Sequence, residues 1–381
     1  MSVLKGMAFS PRYYPYLIIL LIVILSSMVV LLPFILSLDH VGSIIFFETG
    51  MQAVYRFWDG PLYVVVSQTF YASQSPLYVP GSPIPAYYAA HFPLYPASIL
   101  MLSPFGLFPA MIISTILFAC AAALLFYKMV QEFGISDHPL LLTLFFCFFP
   151  LRWFLYRNIG ASEPAFIFFC LAAIYFLKKD QIAYSVTAAS LATLTRIFGI
   201  ILFPVVLASL ALRRELTLKN VLLSLVIPAV LLLLFSWYAV SFGDFFAYFA
   251  VNSGFVQEPF RIMITLGDAY FRELYGILLI IYAVAAVALW ERGEREMSLF
   301  ILIYLPLITL IAHGDISRYL LPLAPFALIG FAPIFPKNRV LFACIIVIAA
   351  VLSLIYAWTL IPLNPMPPET YQNIVAALGN S

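Results

Sequence analysis

Residues 16–36 read YLIILLIVILSSMVVLLPFIL, a run without a single charge. At 1.5 Å of rise per residue, about 20 apolar residues are what a helix needs to cross a hydrocarbon core roughly 30 Å thick. The run is too long for the core of a secretory signal and shows no small-residue cleavage site, so it reads as an uncleaved anchor. The rest of the chain repeats the pattern. Of 381 residues, 64% are hydrophobic and only 9% charged, with a mean hydropathy of +1.06. A soluble domain carries about 25% charged residues, so water is excluded as the main solvent of this surface.

Apolar runs predict spans near 14–37, 110–128, 139–156, 162–177, 182–195, 197–212, 220–240, 272–290, 297–312, 318–335 and 340–360. The expected fold is an all-α, polytopic transmembrane helical bundle of about 11 spans, one domain over 1–381. Charge sets its orientation. With the N-terminus in the cytoplasm, the inner ends collect Lys5, Arg12, Lys128, Lys178-Lys179, Arg213-Arg214, Lys219, Arg292, Arg295, Lys337 and Arg339, which include every lysine. That is the positive-inside pattern, and it places the C-terminus outside. Basic pairs at both ends of 181–212 predict a short hairpin turning near Thr195-Arg196. The stretch 92–107, broken by Pro93, Pro96 and Pro104, reads as interfacial rather than spanning.

Two long outer segments result: 38–91, expected to be structured, and 241–271, with Asp244, Glu258, Arg261 and Asp268. A short outer tail follows over 361–381. Long ordered loops are usually functional, so the chemistry is expected at this outer end. Its cations are all arginines: Arg56, Arg152, Arg157, Arg196, Arg261, Arg272 and Arg318. Guanidinium binds phosphate bidentately and tolerates partial burial, which an ammonium does less well. The set predicts a cradle for a lipid-linked phosphate; the alternative is arginines snorkelling to headgroups or pairing with outer carboxylates.

In Arg56-Phe57-Trp58-Asp59-Gly60-Pro61, an acid among bulky aromatics at a lipid boundary suits deprotonation of a sugar hydroxyl. Asp-Gly-Pro is equally ordinary turn chemistry, with the aspartate capping its own loop. His91 in His91-Phe92-Pro93-Leu94-Tyr95-Pro96 is a hydrogen-bonding candidate or a structural histidine. Ser162-Glu163-Pro164 reads as an N-cap and first turn, and also aims Glu163 at the same outer region as Asp59. His313-Gly314-Asp315-Ile316-Ser317-Arg318-Tyr319 offers Arg318 to a phosphate or, alternatively, an exposed Asp315–Arg318 pair worth under about 1 kcal/mol. The cysteines Cys120, Cys147, Cys170 and Cys344 lie in apolar runs without metal or disulfide spacing. No metal-binding or nucleotide-phosphate motif and no basic tract for nucleic acid appears.

With these motifs in order, the chain resembles the GT-C superfamily of polytopic glycosyltransferases, nearest to GPI mannosyltransferase II and its prokaryotic relatives. The likeness runs from Arg56-Phe57-Trp58-Asp59-Gly60 through Phe92-Pro93-Leu94-Tyr95-Pro96, Ser162-Glu163-Pro164-Ala165-Phe166 and Leu194-Thr195-Arg196-Ile197-Phe198-Gly199 to Arg318-Tyr319-Leu320-Leu321-Pro322. It implies that Asp59 is the catalytic acid residue of the first outer loop, serving as general base. It also implies a polyprenyl (dolichyl) phosphate sugar as donor, mannose the first choice, with a glycolipid or glycan as acceptor. Transfer would invert the anomeric centre without a metal or other cofactor. Asp59 is followed by Gly60-Pro61 rather than a second acid, so no paired loop carboxylate is expected. Arg196 and Arg318 are the first candidates for the donor phosphate. Arg56, Arg157, Trp58, His91, Glu163 and Tyr319 are further candidates for substrate contact. The expected location is the plasma membrane of a prokaryote, with the endoplasmic reticulum as the alternative. A lipid-linked sugar carrier or a non-catalytic membrane subunit are the competing readings.

Overall fold

The computed structural model describes residues 13–78, 83–254, 257–265, 269–363 and 366–379. Lys5, Arg12 and Asp268 lie outside the described residues. The described residues are all-α, with one two-stranded exception. In order it runs α1 (Tyr14–Ile35), β1 (His40–Val41), β2 (Ile44–Ile45), α2 (Met51–Tyr55), α3 (Gly60–Thr69), α4 (Leu94–Met101), α5 (Leu107–Glu132), α6 (Pro139–Phe148) and α7 (Leu151–Tyr156). It continues with α8 (Glu163–Lys178), α9 (Ile182–Thr195), α10 (Leu202–Leu212), α11 (Leu218–Ser224), α12 (Val226–Phe242), α13 (Ala247–Asn252) and α14 (Arg261–Thr265). The last elements are α15 (Ala269–Glu291), α16 (Arg295–Ile308), α17 (Ile316–Tyr319), α18 (Ala324–Gly330), α19 (Arg339–Leu360) and α20 (Pro368–Gly379).

Among the described residues, five helices are long and apolar enough to cross a membrane: Tyr14–Ile35, Leu107–Glu132, Leu218–Phe242, Ala269–Glu291 and Arg339–Leu363. Their outward faces carry bare leucine, isoleucine and valine, as in α1 at Leu21, Leu25 and Leu32. These five are integral-membrane helices by length and composition, and the remaining expected spans are shorter. The expected span 139–156 is two helices, because Phe149 precedes Pro150 and takes an extended conformation that no helix continues through. The expected span 318–335 is likewise divided between α17, a 3-10 turn at Leu321–Leu323 and α18, where Pro322 and Pro325 punctuate the run.

The hairpin over 182–212 forms. Arg196 is extended (φ −154°, ψ 146°) and ends α9, after which the chain folds back along it. Gly199 makes that return possible, since a Cβ there would stand 2.3 Å from the Thr193 backbone nitrogen. At the far end, Arg213 donates to the Leu177 carbonyl at 3.1 Å and pairs with Asp180, so both arms end together. The 92–107 stretch holds only the eight-residue α4 and a 3-10 turn, too short to cross.

Charge is concentrated at the two ends of the bundle. One end carries the ion pairs Lys178–Glu294 at 2.8 Å and Lys179–Glu132 at 3.2 Å, beside Arg213–Glu296 at 2.5 Å. At the other end the loop 38–91 folds into the β1–β2 pair, α2, α3 and a 3-10 turn, and the tail closes on it through α20. Arg56 ties these pieces together: its guanidinium grips Glu48, with Nε at 2.6 Å, and donates to the Met366 carbonyl.

Candidate functional site

Between the folded first loop and the ends of α8, α9 and α17 lies a cavity with about 210 Å³ of water-accessible space. Asp59 enters it from the turn that joins α2 to α3. Trp58, just before it, sits at φ 47°, a left-handed conformation that a bulky residue adopts only under constraint. Asp59 stands at the N-cap of α3 but makes no side-chain cap bond; its backbone carbonyl instead accepts from Leu62 and Tyr63 at 3.0 and 3.1 Å. The carboxylate is therefore released from the turn role that Asp-Gly-Pro suggests, and it faces the cavity.

Its partners come from distant elements. Arg318, on α17, donates from both Nη1 and Nη2 to Asp59 Oδ2 at 3.2 Å. His91 Nε2 lies 3.8 Å from Asp59 Oδ1, longer than a hydrogen bond, so Arg318 is the firmer grip. Burial pushes the Asp59 carboxyl up, but His91 and the Arg318 guanidinium outweigh it and hold it well below the usual carboxylate range.

Glu163 binds two arginines at once. It is 1% exposed, and its Oε1 accepts from Arg196 Nη1 at 2.6 Å and from Arg318 Nε. Buried carboxylates are tolerated when paired and hydrogen-bonded, and this one yokes two guanidiniums into a fixed pair. Ser162 does not cap α8 as its position suggests. Its Oγ instead meets Tyr63 Oη at 2.9 Å and Arg196 Nη1 at 3.2 Å. The starts of α3 and α8 come this close because both carry glycine: a Cβ on Gly160 would stand 3.0 Å from Gly60 Cα.

A second polar group supports Arg318 from behind. Its guanidinium lies over the Tyr156 ring at 4.9 Å, and Tyr156 donates its hydroxyl to Asp315 at 2.9 Å. Asp315 pairs with Arg152 at 2.7 Å. The exposed Asp315–Arg318 pair considered from sequence is thus replaced by other pairings: Asp315 with the half-buried Arg152, and Arg318 with Glu163 and Asp59.

Of the nine residues singled out from sequence, six line the cavity or its wall: Trp58, Asp59, His91, Arg196, Arg318 and Tyr319. Glu163 sits directly behind, bonded to both cavity arginines. Arg56 and Arg157 do not join them. Arg56 is spent on Glu48 and Met366, as a clamp between the first loop and the tail. Arg157 is fully buried deeper in the bundle, where it donates to Ser26 Oγ at 2.5 Å and lies 4.6 Å over the Phe154 ring. Residues not singled out add to the lining, among them Tyr87, and Tyr248 with Asn252 from the second loop. The last two sit four apart on α13 and so share a face, a spacing legible in sequence once α13 is known to be a helix.

Chemically, the lining offers two cations, one carboxylate facing the void, and several neutral hydrogen-bonding groups. Burial pushes the Tyr63 hydroxyl up to about 12, so it remains a donor, and burial pulls the His313 imidazole below its usual value, so it remains neutral. Among the described residues no group of three or more His, Cys, Asp or Glu is placed to hold a metal ion. Two apolar grooves are lined in part by chain neighbours of cavity residues, Ser317 and Leu320 in one and Leu194 in the other. One includes Leu278, Ile281, Leu320, Ala324 and Leu328, with Arg152 at its edge; the other includes Tyr71, Leu194, Leu233 and Trp237. No protein-family model matches the chain, and no curated protein sequence matches it.

Proposed function

We propose that the chain is a membrane glycosyltransferase of the GT-C type, transferring a sugar, mannose the first choice, from a polyprenyl phosphate to an acceptor hydroxyl. In this reading the remaining apolar helices complete about 11 crossings, the lysine end faces the cytoplasm and the cavity opens outside it. A prokaryotic plasma membrane is the proposed setting, and a glycolipid or glycan the acceptor. The observation that carries the reading is the sharing of one cavity by Asp59 and two yoked guanidiniums, beside apolar grooves suited to a lipid chain.

The donor's phosphodiester would lie against Arg196 and Arg318. The acceptor oxygen forms a bond to the anomeric carbon as the bond from that carbon to the phosphate oxygen breaks, from the opposite face, so configuration inverts. Asp59 takes the proton of the acceptor hydroxyl, and the electron pair of the broken bond leaves on polyprenyl phosphate. That leaving group is already anionic, and guanidiniums fixed in advance stabilise the charge it gains; no general acid is required. His91, Trp58 and Tyr319 line the space assigned to the sugar.

Protein in liposomes, supplied with radiolabelled polyprenyl-phosphate mannose and a lipid extract, tests the proposal. The wild type is expected to form a labelled product. Asp59→Asn is expected to lose about 10²–10⁴ in rate, the usual worth of a positioned base. A carrier of lipid-linked sugar is the rival, favoured by one observation: Arg157 is a fully buried cation against the middle of α1. Movement of the lipid across the bilayer with no product would favour that rival.

A further inference from the structure

The two carboxylates on Arg318 are held in unequal ways. Glu163 takes Nε and the shortest contacts, is 1% exposed, and also holds Arg196 at 2.6 Å. Asp59 receives both Nη groups on a single oxygen at 3.2 Å, and its side chain is 27% exposed to the cavity. Charge-assisted N–H···O bonds are normally 2.7–2.9 Å, and the strong form of the pair sets two nitrogens against two oxygens. Glu163 is the permanent partner. Asp59 is a loose one, placed on the edge of the guanidinium that faces the void.

We propose that Asp59 occupies the anion seat of its own site, and that a substrate phosphate binds by displacing it from the two Nη groups of Arg318. The inference rests on the transferase reading for its mechanism, though not for its test. A phosphodiester presents two non-bridging oxygens to the Nη1/Nη2 fork, which a single carboxylate oxygen does not match. Arg196 stands ready on the same side: only its Nη1 is engaged among the described residues, and the side chain lines the cavity. Glu163 keeps both arginines in place throughout the exchange.

The exchange has a chemical consequence. Before the donor arrives, Asp59 faces a guanidinium and has little affinity for a proton. After it arrives, Arg318 is committed to phosphate and Asp59 has a new anion as neighbour. Its proton affinity rises when an acceptor hydroxyl in the same cavity needs a base. Donor therefore binds before the acceptor is activated, and the order is built into one shared guanidinium.

Binding without turnover tests this. The full chain in nanodiscs is titrated by calorimetry at pH 7 with a water-soluble hexosyl butyl phosphodiester, a monoanion, and with butyl hexoside as the neutral control. Asp59→Asn is expected to bind the diester at least about fivefold tighter than wild type, since the competing anion is gone. The neutral glycoside should bind both alike, and Arg318→Gln should lose the diester. Asp59→Ala and Asp59→Ser must move in the same direction, and a thermal melt identifies which variants are folded. Diester affinity equal to or weaker than wild type in the folded Asp59 variants overturns the proposal, as does an Arg318→Gln protein that binds the diester normally. The two readings also fail separately. Tighter diester binding in a protein that transfers no sugar keeps the seat and removes the transferase; transfer by the wild type with unmoved affinity does the reverse.

Discussion

Arg318 lies 3.2 Å from the Asp59 carboxylate although 259 positions separate them in the chain. The contact joins the first loop to α17 late in the chain, and it depends on how closely α3 approaches α8. That approach is set by two glycines, with the Met111 side chain packed against both.

Gly160→Ala tests the approach. The added Cβ meets Gly60 Cα at 3.0 Å and the Met111 sulfur at 2.3 Å. Met111 can swing aside, but the Gly60 backbone cannot. The expected cost is that of overpacking, about 1–3 kcal/mol, read as a lower melting temperature. The proposed transfer should fall together with stability, because Asp59 follows Gly60 outward. A protein with wild-type melting and transfer would show that α3 and α8 have slack.

Glu163→Gln keeps the shape of the side chain and removes the charge that the buried Arg318 and the half-buried Arg196 share. Breaking one partner out of a buried pair typically costs 3–5 kcal/mol, because the other charge is left uncompensated. A loss of roughly that size is expected in a reversible unfolding measurement in detergent. A second replacement, Arg196→Met, should recover part of it. If Glu163→Gln costs under about 1 kcal/mol, the yoke is not structural.

How much of this site was legible beforehand follows from what kind of signal each residue leaves. Asp59 stood out because an acid in Phe-Trp-Asp-Gly-Pro is conspicuous among apolar neighbours. Arg196 stood out because basic pairs at both ends of 181–212 demanded a turn there, and Gly199 now explains how the turn is made. Membrane character was plain from hydropathy alone. The misplaced residues are instructive in another way. Arg56 and Arg157 look like Arg196 in sequence, yet one clamps a loop to the tail and the other is buried against Ser26, since residue type says nothing about depth or partner. The division of 139–156 was signalled by Pro150, but apolar length outweighed the break. Tyr87 and the α13 face were invisible because their loops show no hydrophobic period from which to fix an orientation.

The depressed Asp59 carboxyl gives a pH signature. A carboxyl whose folded value lies below its unfolded value, about 3.9 for aspartate, contributes stability that is fully present above that unfolded value. It is lost as pH falls through the folded value. The melting difference between wild type and Asp59→Asn should therefore stay constant from about pH 8 to 5 and shrink only below about pH 4. A difference that already changes between about pH 8 and 5 would show that the Asp59 carboxyl is not held below its usual range in the folded protein.

Arg196 and Gly199 separate charge from scaffold within one turn. Arg196→Ala removes the partly engaged guanidinium but leaves Glu163 with Arg318, so the fold should survive. Phosphate binding should weaken, seen as a rise in donor KM with a smaller change in kcat, as for an interaction made equally in ground and transition states. Gly199→Ala acts through the backbone: its Cβ meets Thr193 N at 2.3 Å and Ala192 C at 2.4 Å, and neither atom can yield without opening the hairpin. It should lower the melting temperature and raise donor KM together, because Arg196 is held by that turn. Raised KM with unchanged melting in Arg196→Ala, against both effects in Gly199→Ala, is the expected pattern. If Arg196→Ala leaves donor KM unchanged in a folded protein, the phosphate does not contact this side of the cavity.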